Sequence, residues 1–480
     1  MACENKFTSQ DSRTFKQRDF DAIIVGAGIS GSFIANEMCQ KGLKVLLLEA
    51  GKHFNKNTYP TREIDANSQL YWSGGIELNT SASIGILRPK GVGGGSIVNQ
   101  ALVDRFDSIA LDSWKEQSGV SFFTQKDMAP WYDSAEKELA IQEIPEQYRN
   151  GNAKIFQQGF EKNNYKWAPL KRAQKDCHFE DGNDCIECLS GCRIDSKQSM
   201  GVTVLKKALA KGLYLLPEFE VLKVSDLGDS VKVLGIDVYG ERRTFRAKKL
   251  VMASGAIGNS KLLLNSGFAS KLPALGENFY THPQSMVLGL YDQDINAHKG
   301  PLQSLKSDDT TFRANYFKLE NVFAPPVAIA MLVPKLGHYH LDKMRRISNM
   351  ACIEVAIRDT HAGKITTNSK GKVQVHKELD TRDKETQEKG LAAIYRIFNS
   401  TGAKEIVNGS FAIGLHLMGG LGIGTNDKKS VVTPDFNLHG FKNIFAADSS
   451  IFPNAPGINP SFTIMALSKM ASDKIIRSWQ

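Results

Sequence analysis

No stretch of this 480-residue chain is apolar and long enough to cross a bilayer. The opening MACENKFTSQDSRTFKQRDF is polar up to the first strand-like run. It has neither the apolar core nor the cleavage pattern of a secretory signal, so a cytoplasmic location is expected. Cysteines number seven, and an odd count without a leader argues against a disulfide framework. There is no block of Lys and Arg and no aromatic-basic repeat, so no nucleic-acid partner is expected. Internal repeats and low-complexity tracts are also missing. What the chain has is length and an ordinary balance: 41% hydrophobic and 23% charged residues are enough for an ample core without staples, divided over two intertwined domains. The net charge of +9 reads first as a solvated basic surface. It also suits an anionic dinucleotide and leaves peripheral membrane contact open.

The clearest local signal lies near the start. Residues 21–25 (DAIIV) form a short β-branched run that reads as a buried parallel strand. The turn Gly26-Ala27-Gly28-Ile29-Ser30-Gly31 follows, then a helical pattern over residues 32–41 stopped by Gly42, then a second buried strand over 44–48 ending at Glu49. This is a βαβ unit with a G-x-G-x-x-G turn. Gly26 allows the tight turn, Gly28 lets the backbone approach a pyrophosphate, and Gly31 lets helix and strand pack closely. Ser30 lies in the same turn, where the free N–H groups of a helix N-terminus favour phosphate. Glu49, 18 residues beyond Gly31, can accept hydrogen bonds from a ribose. The unit alone does not choose between NAD and FAD.

Elsewhere the pattern is mixed. Residues 112–140 are rich in helix formers, 200–211 read as a helix, 213–224 as strands and 249–254 as another buried strand. Residues 285–291, 327–333, 351–357 and 373–376 look like antiparallel strands, and 380–399 form a charged helix. Three further segments carry chemistry. The loop Gly91-Val92-Gly93-Gly94-Gly95-Ser96-Ile97-Val98-Asn99 lets backbone N–H groups reach a planar or anionic ligand without interference from Cβ atoms. Residues 255–267 (GAIGNSKLLLNSG) follow a buried strand as turn and short helix. Near the C-terminus His416 precedes Gly419-Gly420, then Asp448, then Asn459-Pro460, which fits an N-cap followed by proline in the first helical turn.

Taken together and in this order, the segments resemble the glucose–methanol–choline (GMC) oxidoreductase family, over nearly the whole chain. His416 followed by Gly419-Gly420, with Asn459 later, is most similar to its cholesterol-oxidase-like branch. The resemblance implies an α/β fold: an FAD-binding Rossmann-like domain (residues 1–106, 197–275 and 404–480) and a second α+β substrate-binding domain with an antiparallel sheet (107–196 and 276–403). It implies that Gly26, Gly28, Ser30, Gly31 and Glu49 hold the ADP half of FAD, with a Val221 backbone contact to the adenine. Gly94, Gly95, Ser96 and Asn99 would lie along the isoalloxazine and ribityl chain, and Asp448 near the pyrophosphate. His416 and Asn459 would face flavin N5 and the hydroxyl of a hydrophobic alcohol, a sterol or long-chain alcohol, with oxygen or another acceptor taking the electrons. His416 would act as the base, since a neutral imidazole suits that proton near pH 7. Asn459 would hold the oxygen. No histidine for a covalent flavin link is evident near the glycine-rich loop, so FAD is expected to bind non-covalently. Two features depart from the family pattern. Asn259 stands where a small hydroxyl residue is usual, a change expected to matter little. No carboxylate aligns with the one that assists histidine in secreted sterol oxidases; Glu354 reads as a surface or structural residue.

Cys177, Cys185, Cys188 and Cys192 form C-x7-C-x2-C-x3-C. Four close thiolates suit zinc or an iron–sulfur cluster, and they equally suit a loop of reduced thiols with Lys197 and Ser199 packed nearby. A cluster would support a different function, a flavoprotein dehydrogenase or electron-transfer subunit passing electrons to a partner. A scaffold that only binds FAD would need neither His416 nor Asn459.

Overall fold

The computed structural model describes residue 15, residues 19–175, residue 177 and residues 185–479. Two sheets organise it. The first strand, Asp19–Val25, is β-branched and buried on both faces, as a central parallel strand requires. It pairs in parallel with Val45–Leu48 on one side and with Arg242–Met252 on the other. Tyr214–Leu216 and Ile444–Ala446 extend this parallel core, and an antiparallel pair, Val231–Asp237 and Phe219–Asp226, completes seven strands. The helices Ile29–Gln40 and Ser461–Arg477 cover it, burying Phe33, Ile34, Met465 and Ala466.

The second sheet has nine strands, and Tyr280–Leu290, Met350–Ile357 and Phe317–Asn321 run antiparallel through its middle. It draws strands from both sides of the expected boundaries. Ile84–Pro89 and Ala412–Met418, assigned by sequence to the dinucleotide unit, pair with each other in parallel inside this sheet. The nine-stranded sheet therefore takes strands from segments assigned to both domains, and one of them, Ala412–Met418, carries His416.

Several expected elements change on inspection. Residues 327–333 form no strand. Pro325-Pro326 opens a helix, Pro326–Leu332, whose first N–H groups, on Val327 and Ala328, donate to the Glu63 carboxylate at 2.7 and 2.8 Å. That cap comes from a distant segment, which local pattern cannot show. The run over 112–140 is two helices, Ser108–Ser118 and Gln125–Glu136, separated at Gly119. Asn459 is not the cap of the last helix. Pro460 holds that position, and the Asn459 side chain bonds elsewhere.

Candidate active site

Two cavities meet between the sheets. One, of about 340 Å³, is lined by the glycine turn and its surroundings: Gly26, Gly28, Ser30, Glu49, Val221 and Asp448. The other, of about 380 Å³, is mostly apolar, with Met286, Leu302, Val322, Phe323, Leu332 and Ile413 on its walls. Gly95, Asn99, His416 and Ser461 line both, so the cavities adjoin there.

The first cavity is a cradle made largely of backbone. The helix that starts at Ile29 has no side-chain cap at Gly28, so its first N–H groups are left for a ligand. The Ser30 hydroxyl, on the cavity wall, is buried without a hydrogen-bond partner. Gly94 approaches Gly28 so closely that a Cβ on it would lie 2.7 Å from the Gly28 Cα. A buried polar orphan and free N–H groups at a glycine-lined wall fit a dinucleotide pyrophosphate. Glu49 accepts from Ala27 N at 3.0 Å and from Gly51 N at 2.8 Å. Burial raises its pKa against those hydrogen bonds.

Two residues assigned to this cradle lie behind it. The Cα of Gly31 packs against the turn, where a Cβ would sit 1.9 Å from Gly26 O. Ser96 donates to Gly93 O at 2.6 Å and accepts from Met200 N at 3.1 Å, so its hydroxyl shapes the loop instead of facing a ligand. Asn259, expected to matter little, is fully buried and anchors Asp448. Its Nδ2 donates to both carboxylate oxygens at 3.0 and 3.1 Å, while Gly255 N donates at 2.6 Å.

The second cavity has one polar end, assembled from side chains. His416 stands on a bulge. Tyr280 pairs with Met418 and His282 with Leu415, so the 412–418 strand carries one extra residue. His416 takes a left-handed φ of +59° there. Such a bulge re-aims a side chain. The ring turns toward His282, with Nδ1 to Nδ1 at 3.0 Å, and lines both cavities. Burial, followed by the nearby Lys318 charge, lowers the pKa of His416 to about 3.

Lys318 ties this end together. Its Nζ donates to Asn459 Oδ1 at 2.6 Å and to Glu320 Oε1 at 2.7 Å. With its oxygen engaged, Asn459 offers its amide N–H groups, one of them 3.4 Å from Glu320 Oε1. Glu320 faces Glu354 directly across two strands, and both line the cavity. Glu354 is only 3% exposed, which corrects the surface reading. Burial and the neighbouring Glu320 carboxylate raise its pKa well above the ordinary carboxyl range, which favours the protonated form beside Glu320. Gln303 Nε2 donates to the other Glu320 oxygen at 2.8 Å. Sequence reasoning missed Lys318, Glu320 and His282. The one available signal was charged residues inside otherwise apolar strand runs.

The cysteine segment lies behind the glycine-rich loop. Cys177 and Cys188 are buried together, and Lys197 N donates to Cys192 Sγ at 3.4 Å. Lys197 Nζ is held by the carbonyls of Ile97, Asn99 and Cys188 at 2.8, 3.0 and 2.5 Å, joining this segment to the loop. Among the described residues no group of three or more His, Cys, Asp or Glu side chains is placed to hold a metal ion. The Cys185 side chain lies outside the described residues.

Comparison with known proteins agrees with this architecture. The chain is 25% identical to long-chain-alcohol oxidase FAO3 of Arabidopsis thaliana, covering 95% of this chain and 68% of that protein. It is 22% identical to a cholesterol oxidase of Acinetobacter baumannii, covering 96% and 95%. Pyridoxine 4-oxidase from Mesorbium loti superposes with a TM-score of 0.72 at 15% identity, over 95% of this chain and 99% of that one. The described residues contain no helix long and apolar enough to cross a membrane. The two GMC oxidoreductase family models match residues 20–284 and 359–468. The chain belongs to the GMC oxidoreductase family, FAD-dependent enzymes acting on CH–OH groups.

Proposed function

We propose that the protein oxidises a hydrophobic alcohol, of the long-chain or sterol class, with oxygen as the electron acceptor. The observation that carries this reading is the junction of the cavities: an apolar chamber ends in Glu320, Glu354, His416 and Asn459 where the dinucleotide cradle begins. Chambers of this size and lining bury most of a small apolar ligand and orient it by a few polar groups. Relatives named as long-chain-alcohol oxidase and cholesterol oxidase support the substrate class.

Bound FAD supplies the acceptor for hydride from the carbinol carbon. In this reading the turn around Gly26 and Gly28, with Ser30 and Glu49, holds its ADP half. Val221 meets the adenine, Asp448 lies near the pyrophosphate, and Gly94, Gly95 and Asn99 lie along the ring system. The protein must then hold the alcohol oxygen and remove its proton. The Asn459 amide, fixed by Lys318, donates to that oxygen. The sequence reading made His416 the base; burial beside Lys318 lowers its pKa to about 3, so the ring is neutral near pH 7. The Glu320 carboxylate, which lines the same cavity beside the Asn459 amide and Lys318, is the proton acceptor we assign by position, and His416 positions the oxygen.

The test is a spectrum of the purified protein, with iron and zinc analysis on the same sample, followed by anaerobic addition of primary alcohols of increasing chain length and of a sterol. Bleaching of the flavin band that strengthens with apolar chain length is expected, with peroxide released on admitting oxygen. A flavin that no alcohol reduces overturns the reading. Iron bound at several atoms per chain, with no reaction toward oxygen, would favour the electron-transfer function instead.

A further inference from the structure

His282 is 1% exposed and belongs to none of the motifs, yet both of its ring nitrogens are engaged. Its Nε2 lies 2.9 Å from the backbone N of Gly457. An amide N–H only donates, so this nitrogen carries the lone pair. A neutral imidazole then has its proton on Nδ1, and that proton points at His416 Nδ1, 3.0 Å away. Two nitrogens in contact share one proton between them. His416 Nδ1 is therefore the acceptor, and the His416 proton sits on Nε2.

The loop that presents the Gly457 N–H is held in place. Arg358 Nε donates to Ala455 O at 2.8 Å, and Arg313 Nη2 donates to Pro456 O at 2.8 Å. Asp107 in turn fixes Arg313 through two bonds of 2.8 Å. Burial, followed by the neighbouring His416 ring and the cations Lys318, Arg313 and Arg358, disfavours a second proton on His282, so its ring is held neutral.

We propose that His282 is a positioning residue that holds His416 in the Nε2–H tautomer, so that the ring nitrogen left for the cavity donates to the alcohol oxygen and does not accept its proton. The inference rests on the reading that His416 meets the substrate oxygen. It extends that reading by naming the device that sets the proton's place. Setting a tautomer through the far ring nitrogen is a known determinant of histidine function, and a wrong tautomer alone costs a well-studied triad about 10⁴-fold.

The experiment uses the FAD-loaded enzyme labelled with ¹⁵N at histidine, with the His416 signal assigned from its loss in His416→Gln. Long-range ¹H–¹⁵N correlations report each tautomer without turnover. We expect His416 with a bare Nδ1 and a protonated Nε2, and His282 with the reverse. A His416 ring with a bare Nε2 overturns the proposal. Two variants test the consequence. In His282→Asn the amide N–H replaces the donor at Nδ1, so His416 should keep its tautomer and kcat should stay within about 10-fold of the parent. In His282→Asp an acceptor replaces that donor and draws the His416 proton to Nδ1. The expected loss in kcat is about 10²-fold or more, the scale of one lost preorganised donor. Equal kcat in the two variants overturns the proposal. If His282→Asp does not fold, the parent tautomer spectrum and the His282→Asn kinetics still decide. Failure of every alcohol to reduce the parent enzyme would sink the underlying function and leave the tautomer result standing.

Discussion

The dinucleotide cradle and the polar end of the apolar cavity are neighbours built in opposite ways. The cradle is mostly backbone: helix N–H groups beside Gly28, the close approach of Gly94 and one carboxylate, Glu49, tied to Ala27 and Gly51. The polar end is mostly side chain: His282, Lys318, Glu320, Glu354, His416 and Asn459 come from four strands and a loop and bond largely to one another. A backbone site needs small residues at fixed spacing, so it leaves a motif. A side-chain site needs only a register, which leaves none.

The largest way to break this comparison is Gly28→Val. The Gly28 backbone has a φ of −76°, which any residue tolerates, and a Cβ there would meet nothing closer than Gly94 Cα at 3.9 Å. The fold should survive while the branched side chain fills the cradle. Flavin content after reconstitution should fall at least about 10-fold, against an unchanged far-ultraviolet spectrum, since only space for the ligand is lost. A variant that holds full flavin would contradict the placement.

Next is Glu320→Gln. It removes the assigned proton acceptor and leaves Lys318 with one fewer anion. A loss in kcat of roughly 10²–10⁴-fold is expected, with flavin content unchanged, as for a general base. His416→Ala should cost about 10²–10³-fold in kcat, on the scale of one preorganised donor. If His416→Ala is the more severe of the two, the base belongs on His416, as the sequence alone suggested.

Glu354 supplies a pH test. Its pKa in the folded chain is raised, so the native state holds a proton that the unfolded chain releases above the ordinary carboxyl range. The stability this group contributes is complete below that range and is lost as pH rises toward its folded pKa, by at most about 1.4 kcal/mol per pH unit. Glu354→Gln should flatten the fall in denaturation midpoint above about pH 5, where an unperturbed carboxyl has already ionised. An identical pH profile for parent and variant would show that Glu354 is not protonated in the folded enzyme.

Sequence was most legible where one segment completes a feature by itself. The βαβ unit, the glycine-rich loop and the presence of His416 and Asn459 were all readable, and the structure puts His416 at the junction of the two cavities with Asn459 on the wall of the second. Hidden features depended on a distant partner. Asn459-Pro460 has the composition of a helix cap, but Lys318 draws the amide away. Asn259 looked neutral because its worth lies in Asp448, 189 residues on. Glu354 looked like an outward strand residue because only the register with Glu320 reveals a buried acid pair.

The helix Pro326–Leu332 is the mildest case and the sharpest test of the distinction. It forms a wall of the apolar cavity with Val327 and Ala328 held by Glu63, which itself lines that cavity. Glu63→Ala removes a cap supplied through space, at a cost of about 1 kcal/mol in stability. The cradle does not include Glu63, so flavin content and absorbance should match the parent. The cavity wall does depend on it, so KM for a long apolar alcohol should rise severalfold while kcat changes little, because the polar end keeps its contacts. Equal rises for short and long alcohols would mean that the helix acts on the polar end and not on the apolar wall. Loss of flavin would mean that the two cavities are mechanically one site, and the contrast between a backbone cradle and a side-chain end would then describe construction without describing function.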